Sequence, residues 1–308
     1  MGNSFFMPYI LEAQHIHKQY ANHTALNDVS INVPQGGIFG LLGPNGAGKT
    51  SLIRIINQIT APDSGTVLFD GKPLSPNDVE RIGYLPEERG LYKKMKVGEQ
   101  LLYLAQLKGM SKQEANLKLK NWFEKFDISD WWNRQVDDLS KGMQQKAQFI
   151  ATIIHDPQLI ILDEPFSGFD PINANLLKDE ILALKAKGTS IIFSTHRMES
   201  VEELCDDIAL INHAEVVLQG TKKAIKNQFK DNSYLLDFVG EMPELPESIT
   251  LLGQENLEDN QTRIHVRLQH EMNPNSLISF FLDKVEVKAF CEKIPSFNEI
   301  FIQVVGQK

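Results

Sequence analysis

The segment Gly43-Pro44-Asn45-Gly46-Ala47-Gly48-Lys49-Thr50 constrains this chain more than any other. It stands between a short apolar run, IFGLLG, and the helical pattern TSLIRIINQI. In a strand, glycine loop and helix joined in that order, successive backbone N–H groups point inward and the helix start adds positive potential. Gly43, Gly46 and Gly48 supply the dihedral freedom that such a turn demands. The loop is therefore expected to cradle a nucleotide polyphosphate, with Pro44, Asn45, Ala47 and Ser51 completing the set around it. Lys49 reaches the β- and γ-phosphates in this arrangement, and Thr50 offers its hydroxyl to Mg²⁺. A carboxylate at the end of a neighbouring strand is then needed for the metal, and LIILDE provides Asp163 after four apolar residues. Glu164 follows at once, where a hydrolase needs a base to polarise water and a pure nucleotide-binding switch does not.

The remainder of the chain says what surrounds that loop. At 308 residues there is room for two domains. A hydrophobic content of 42% with 23% charged residues excludes a disordered chain, and apolar stretches such as 149–154 fall far short of the roughly 20 residues that span a bilayer. The opening MGNSFFMPYI has no basic segment followed by an apolar run, so it does not read as a secretion signal, and a cytosolic location is expected. Cys205 and Cys291 are isolated, without metal spacing, which suits a reducing compartment. The net charge is −9, and from residue 231 onward 13 acidic residues face 6 basic ones, which argues against binding to nucleic acid.

Alternation in ILEAQHIHKQY and LNDVSINV predicts two opening strands, and LIILD and SIIFS read as buried parallel strands flanking the helix-like NANLLKDEILALKAKG. Between about 91 and 150, LLYLAQLKGM and SKQEANLKLKNWFEKF carry apolar residues at helical spacing, Ser111 to Glu114 having capping-box spacing, so a helical insertion is expected. Beyond Gly220 come the lysine-bearing TKKAIKNQFK, alternating runs at YLLDFVG, ITLL and RIHVRL, then LISFFLDK, VEVKAF and SFNEIFIQVV, where Ser296 and Glu299 repeat the capping-box spacing. The expected division is a nucleotide-binding domain over 1–230 and a small α+β domain over 231–308.

Those elements would describe any phosphate-loop NTPase. LSKGMQQK at 139–146 narrows the choice, because it resembles the signature segment of ATP-binding-cassette (ABC) proteins and precedes LIILDEPFSGFDP at the usual short distance. Ser167, Gly168, Phe169 and Asp170 look like that family's D-loop, and His196 in FSTHRME looks like its switch histidine. The resemblance covers residues 10 to 220 or thereabouts. It implies an α/β P-loop NTPase fold, with a RecA-like core, an antiparallel β subdomain and a helical subdomain. It also implies that Tyr20 stacks on adenine, that Ser140 and Gly142 contact the γ-phosphate held by an opposite subunit, that Asp170 couples the two sites, and that His196 meets the γ-phosphate and the attacking water. ATP and Mg²⁺ would be the cofactors, and the active form a dimer, either of this chain or with a related cassette.

Two departures stand out. The signature reads LSKGM where the family has LSGGQ, with Lys141 and Met143 substituted, and in GYLPEERGLY Glu87 replaces the usual metal-contacting glutamine. Glu87 keeps an oxygen for Mg²⁺ and adds negative charge near the γ-phosphate. Beside it, Glu88, Arg89 and Tyr92 are either contacts to a partner or an ordinary solvated turn. GYLPEERGLY and the C-terminal domain resemble single-cassette subunits of bacterial exporters, including the sodium-export type, which pair with a separately encoded membrane permease. The implied location is the inner face of the cell membrane, held there by the permease. The alternative is a non-transport cassette ATPase acting on a soluble macromolecule. Trp122, Trp131 and Trp132 are expected to pack within the helical insertion or line a partner groove, and His15 and His17 are given no role.

Overall fold

The computed structural model describes residues 9–88, 90–269 and 272–306, and among these described residues it has three sheets and nine α-helices. Strands β1 (Tyr9–Tyr20) and β2 (His23–Pro34) pair antiparallel, and β3 (Ile38–Leu42) leads through the glycine loop into helix α1 (Lys49–Ile56). Strands β4 (Ser64–Phe69) and β5 (Lys72–Pro73) complete the first sheet in the order β2-β1-β4-β5. Strand β6 (Ile82–Leu85) precedes the helical insertion, made of α2 (Val97–Leu107), α3 (Lys112–Lys125) and α4 (Lys141–Ile153). Next come β7 (Leu159–Asp163), α5 (Pro171–Ala186), β8 (Ser190–Thr195), α6 (Met198–Leu204), β9 (Asp207–Asn212) and β10 (Glu215–Thr221).

The second sheet runs β10-β9-β3-β8-β7-β6, parallel except for β10. Every residue of β3, β7 and β8 is buried, as apolar runs without alternation require when both faces of a parallel sheet are covered. The register decides where the chemistry lies. Leu42 pairs with Thr195, and Asp163 pairs with Ser194, so the glycine loop, Glu164 and His196 all leave the sheet at one edge. In open α/β sheets, that carboxyl end is where ligands bind.

In the helical insertion, Trp131 is buried, and Trp132 packs at 5.4 Å between ring centroids against Phe123. Gly98 in α2 leaves space for it: a Cβ there would lie 2.4 Å from the Trp132 indole. Gly98→Ala gains about 1 kcal/mol of helix propensity but must displace that ring, at a cost of about 1–3 kcal/mol. The expected outcome is a lower melting temperature, and a variant that melts higher than the parent would exclude this packing.

A second compact unit begins at Lys223, just inside α7 (Lys222–Gln228). It contains β11 (Ser233–Val239), β12 (Ile249–Asn256), β13 (Gln261–Leu268), α8 (Pro274–Leu282), β14 (Glu286–Glu292) and α9 (Phe297–Gly306). The sheet order is β12-β13-β11-β14, all antiparallel. Tyr234, Leu236, Phe238, Ile264 and Val266 make one face apolar, and Leu277 and Phe281 of α8 join that core. Of the two capping boxes expected, the one at Ser296 and Glu299 forms in full and the one at Ser111 by half, the Glu114 carboxylate pairing with Lys118 instead. Ser111 accepts the Glu114 N–H at 3.2 Å, and Ser296 and Glu299 cap each other reciprocally at the start of α9. Among the described residues, no helix is long and apolar enough to cross a membrane.

Candidate functional site

At the carboxyl edge of the parallel sheet lies a cavity of about 330 Å³. Its lining includes Asn45, Gly46, Gly48, Lys49, Thr50 and Ser51 of the loop and α1, together with Tyr20, Glu87, Asp163 and Glu164. Residues up to 144 positions apart in sequence thus meet in one place, as strand order and register dictate.

The loop's shape needs its glycines. Gly43 and Gly48 have φ of +149° and +119°, and a Cβ on either would come within 2.2 Å of the Ile211 carbonyl or 2.3 Å of the Ala25 carbonyl. The Lys49 ammonium is nearly buried and donates to the carbonyls of Gly43 at 2.8 Å and Pro44 at 3.1 Å, which holds it across the loop mouth. Burial lowers its pKa, and the facing carboxylates of Glu164, Asp163 and Glu87 oppose that shift. Burial likewise raises the Asp163 carboxyl, with Glu87 and Glu164 adding to the rise, while the Ser194 hydroxyl, donating at 2.8 Å, and Lys49 hold it back.

Glu164 is set by backbone and side chain together. Its φ of +48° lies in the left-handed region, which is uncommon for a residue with a side chain. The turn folds the carboxylate back onto the end of β8. Oε1 accepts the His196 backbone N–H at 2.9 Å and lies 2.7 Å from His196 Nδ1; Oε2 accepts the Thr195 hydroxyl at 3.2 Å. His196 therefore meets the cavity through Glu164 and is not itself part of the lining.

Three carboxylates against one ammonium make a donor set that suits a divalent cation bound together with phosphate oxygens. Among the described residues, no group of three His, Cys, Asp or Glu side chains is placed to hold a metal alone. That is the usual situation for Mg²⁺, which takes one or two carboxylates and completes its shell with substrate phosphates, water and other oxygens. Thr50, Asp163 and Glu87 are the residues at the cavity that fit this role.

The signature residues lie elsewhere on the surface. Ser140 caps α4, its hydroxyl accepting the Met143 N–H at 3.3 Å, and Gly142 sits beside Phe169 and Gly168. Asp170 caps α5 by accepting the Ile172 and Asn173 N–H groups, each at 3.0 Å. None of Ser140, Gly142 and Asp170 lines the cavity of their own chain. Glu88 and Tyr92 are exposed near Glu87, and Arg89 lies outside the described residues. His23 and Ala25 line the cavity and were not anticipated. The only sequence signal for them is their position just past Tyr20, where the turn into β2 brings the chain back alongside β1. His15, by contrast, pairs with Asp28 at 2.7 Å on the surface, away from that cavity.

Comparison with known proteins places this geometry in a family. A family model described as ABC transporter matches residues 26–167, and one described as ATP-binding protein DrrA1-3-like, C-terminal domain matches residues 220–305. The chain is 40% identical over 297 residues to the ABC transporter ATP-binding protein YhaQ of Bacillus subtilis, covering 96% of this chain and 99% of that one. It is 34% identical to the lantibiotic transport ATP-binding protein SrtF of Streptococcus pyogenes, over 68% of this chain and 90% of the relative. A solved structure described as an ATP binding subunit of an ABC transporter superimposes with a TM-score of 0.67 at 31% identity, covering 71% of this chain and 93% of that chain. The chain belongs to the family of ABC transporter ATP-binding proteins.

Proposed function

We propose that this chain hydrolyses ATP at the cavity beside Lys49 and that the resulting opening and closing of a cassette dimer drives a separately encoded membrane permease, in the direction of export. The observation that carries the hydrolytic reading is the Glu164 carboxylate, clamped by Thr195 and His196 at the mouth of a phosphate loop. The family match along nearly the whole chain and SrtF, named for lantibiotic transport, support the transport reading, and a Burkholderia lata relative named for Nod factor export, 31% identical over 70% of this chain, supports export.

In this scheme the loop N–H groups and Lys49 bind the β- and γ-phosphates, and Tyr20 offers its half-exposed ring to adenine. Thr50, Asp163 and Glu87 would hold Mg²⁺, which when bound would neutralise phosphate charge. Glu164 accepts a proton from the water that attacks in line, and His196 keeps that carboxylate oriented. Ser140 and the Gly142 backbone act on nucleotide bound by the opposing subunit, which accounts for their distance from the cavity of their own chain. Nucleotide-driven closure then shifts a two-state equilibrium in the partner.

Co-expression with a candidate polytopic permease, sought among the neighbouring reading frames, tests the coupling. The tagged chain is expected to recover that subunit from detergent-solubilised membranes, and joint reconstitution to change ATP turnover severalfold. A chain that purifies alone and turns over ATP at the same rate with or without the membrane protein would overturn the transport reading.

A further inference from the structure

The C-terminal unit holds a cleft of about 470 Å³, within the size range of small-molecule sites. Strand pairing builds it. Ser233 faces Arg267 and Leu235 faces His265, so Ser233, Arg267 and His265 share the sheet face opposite the apolar one. The Lys293 backbone N–H donates to the Ser233 carbonyl at 2.8 Å and brings that residue alongside, while Gln228 and Lys230 close one side and Gln303 of α9 another.

The hydrogen-bond inventory of this lining is unbalanced. Its two carboxylates are already committed. Asp231 accepts the Ser233 hydroxyl at 2.6 Å through Oδ1 and the Arg267 guanidinium through Oδ2. Glu299 accepts Lys293 Nζ at 2.8 Å through one oxygen and the Ser296 N–H and hydroxyl, at 2.7 and 2.8 Å, through the other. The Lys293 contact and the Ser296 contacts hold the Glu299 carboxyl down at about 2.

The cations are not used up. Lys293 Nζ donates to Glu299, and Lys230 Nζ donates to Glu292 at 2.7 Å, so each ammonium keeps further N–H donors. Arg267 places Nε and Nη2 on a single oxygen, which leaves Nη1 without a hydrogen-bond partner among the described residues. His265 Nε2 is shielded from solvent and has no hydrogen-bond partner among the described residues. The lining therefore presents surplus N–H donors: each of its three cations is matched by one carboxylate, Glu292, Asp231 or Glu299, but keeps donors that the carboxylate does not use. Outside it, the segment from residue 231 is strongly acidic, with 11 acidic residues against 4 basic once Asp231, Glu299, Arg267 and Lys293 of the lining are set aside. A long polyanion meets that repulsion, whereas a small anion inside the cleft is governed by charges within a Debye length, about 8–10 Å.

We propose that this cleft binds a small organic anion bearing a phosphate or carboxylate group, held by Lys230, Arg267 and Lys293. The site is distinct from the nucleotide cavity, and the proposal stands whether or not the transport reading holds.

Titration calorimetry of the full chain, with Mg·ADP saturating the phosphate loop, tests it with two probes, inorganic phosphate and citrate. Saturable uptake of at least one is expected, and the probe that binds more tightly identifies the phosphate or the carboxylate form. Lys230→Gln together with Lys293→Gln is expected to weaken uptake about tenfold or more. Because those changes also break ion pairs, Gln303→Glu is the decisive variant: it disrupts none of them, and is expected to weaken uptake equally without lowering the melting temperature. Uptake of neither probe at up to about 10 mM, undiminished affinity in Gln303→Glu, or tighter binding to duplex DNA or anionic vesicles than to both probes would each overturn the proposal.

Discussion

Glu164→Gln is expected to lower the rate of ATP turnover by about 10²- to 10⁴-fold while leaving ATP binding intact, so that the protein accumulates as an ATP-bound dimer. The substitution is isosteric and neutral. The His196 N–H, which now donates to Oε1 at 2.9 Å, can still donate to the amide oxygen in one orientation, and the amide NH2 then faces the Thr195 hydroxyl, which can turn from donor to acceptor, so the turn at φ +48° is kept. What disappears is the group that takes a proton from water. The cavity also loses one of the three carboxylates facing Lys49, which favours binding of a polyphosphate. Phosphate-release kinetics and light scattering with Mg·ATP measure the two halves of the prediction. Multiple turnover near the parent rate would remove Glu164 from the chemistry, and unchanged slow turnover without a dimer would remove the closure step.

Much of the α/β core is legible in the sequence because its signals are local. IFGLL, LIILD and SIIFS are short apolar runs bounded by turns, and each becomes a wholly buried parallel strand. The strands β4 and β6 carry weaker signals: β4 mixes buried and exposed positions, and β6 is four residues long. At the site, the glycine loop is legible from eight consecutive residues, whereas the clamp on Glu164 joins residues 31 and 32 positions apart and depends on strand register. Only a family resemblance pointed to His196, and it assigned the residue to phosphate and water; the geometry shows its ring and backbone turned to the Glu164 carboxylate. The C-terminal cleft is hidden for the same reason. Ser233, Arg267 and Lys293 look like ordinary surface residues until pairing of β11 with β13, and the Lys293 N–H bond to the Ser233 carbonyl, set them side by side.

Lys49→Ala is expected to weaken ATP binding by about a hundredfold or more and thereby to abolish turnover at cellular ATP concentrations, since truncating one partner of a buried charge cluster costs about 2–5 kcal/mol. Two distinct losses contribute. The phosphates lose a cation fixed in advance by the Gly43 and Pro44 carbonyls, so no reorganisation free energy is needed when ATP arrives. Asp163, Glu164 and Glu87 lose the positive charge that offsets their mutual repulsion, which raises the cost of bringing in a polyphosphate. Lys49→Arg separates these contributions. It restores the charge but replaces the compact ammonium with a planar fork that does not match the paired carbonyls, so it should recover part of the affinity if charge dominates and almost none if the loop geometry does. Fluorescent-nucleotide titration of all three proteins reads this directly. Together with Glu164→Gln it makes a paired test, because one variant should fail at binding and the other only after it. A Lys49→Ala chain that binds ATP as tightly as the parent would show that the nucleotide sits elsewhere.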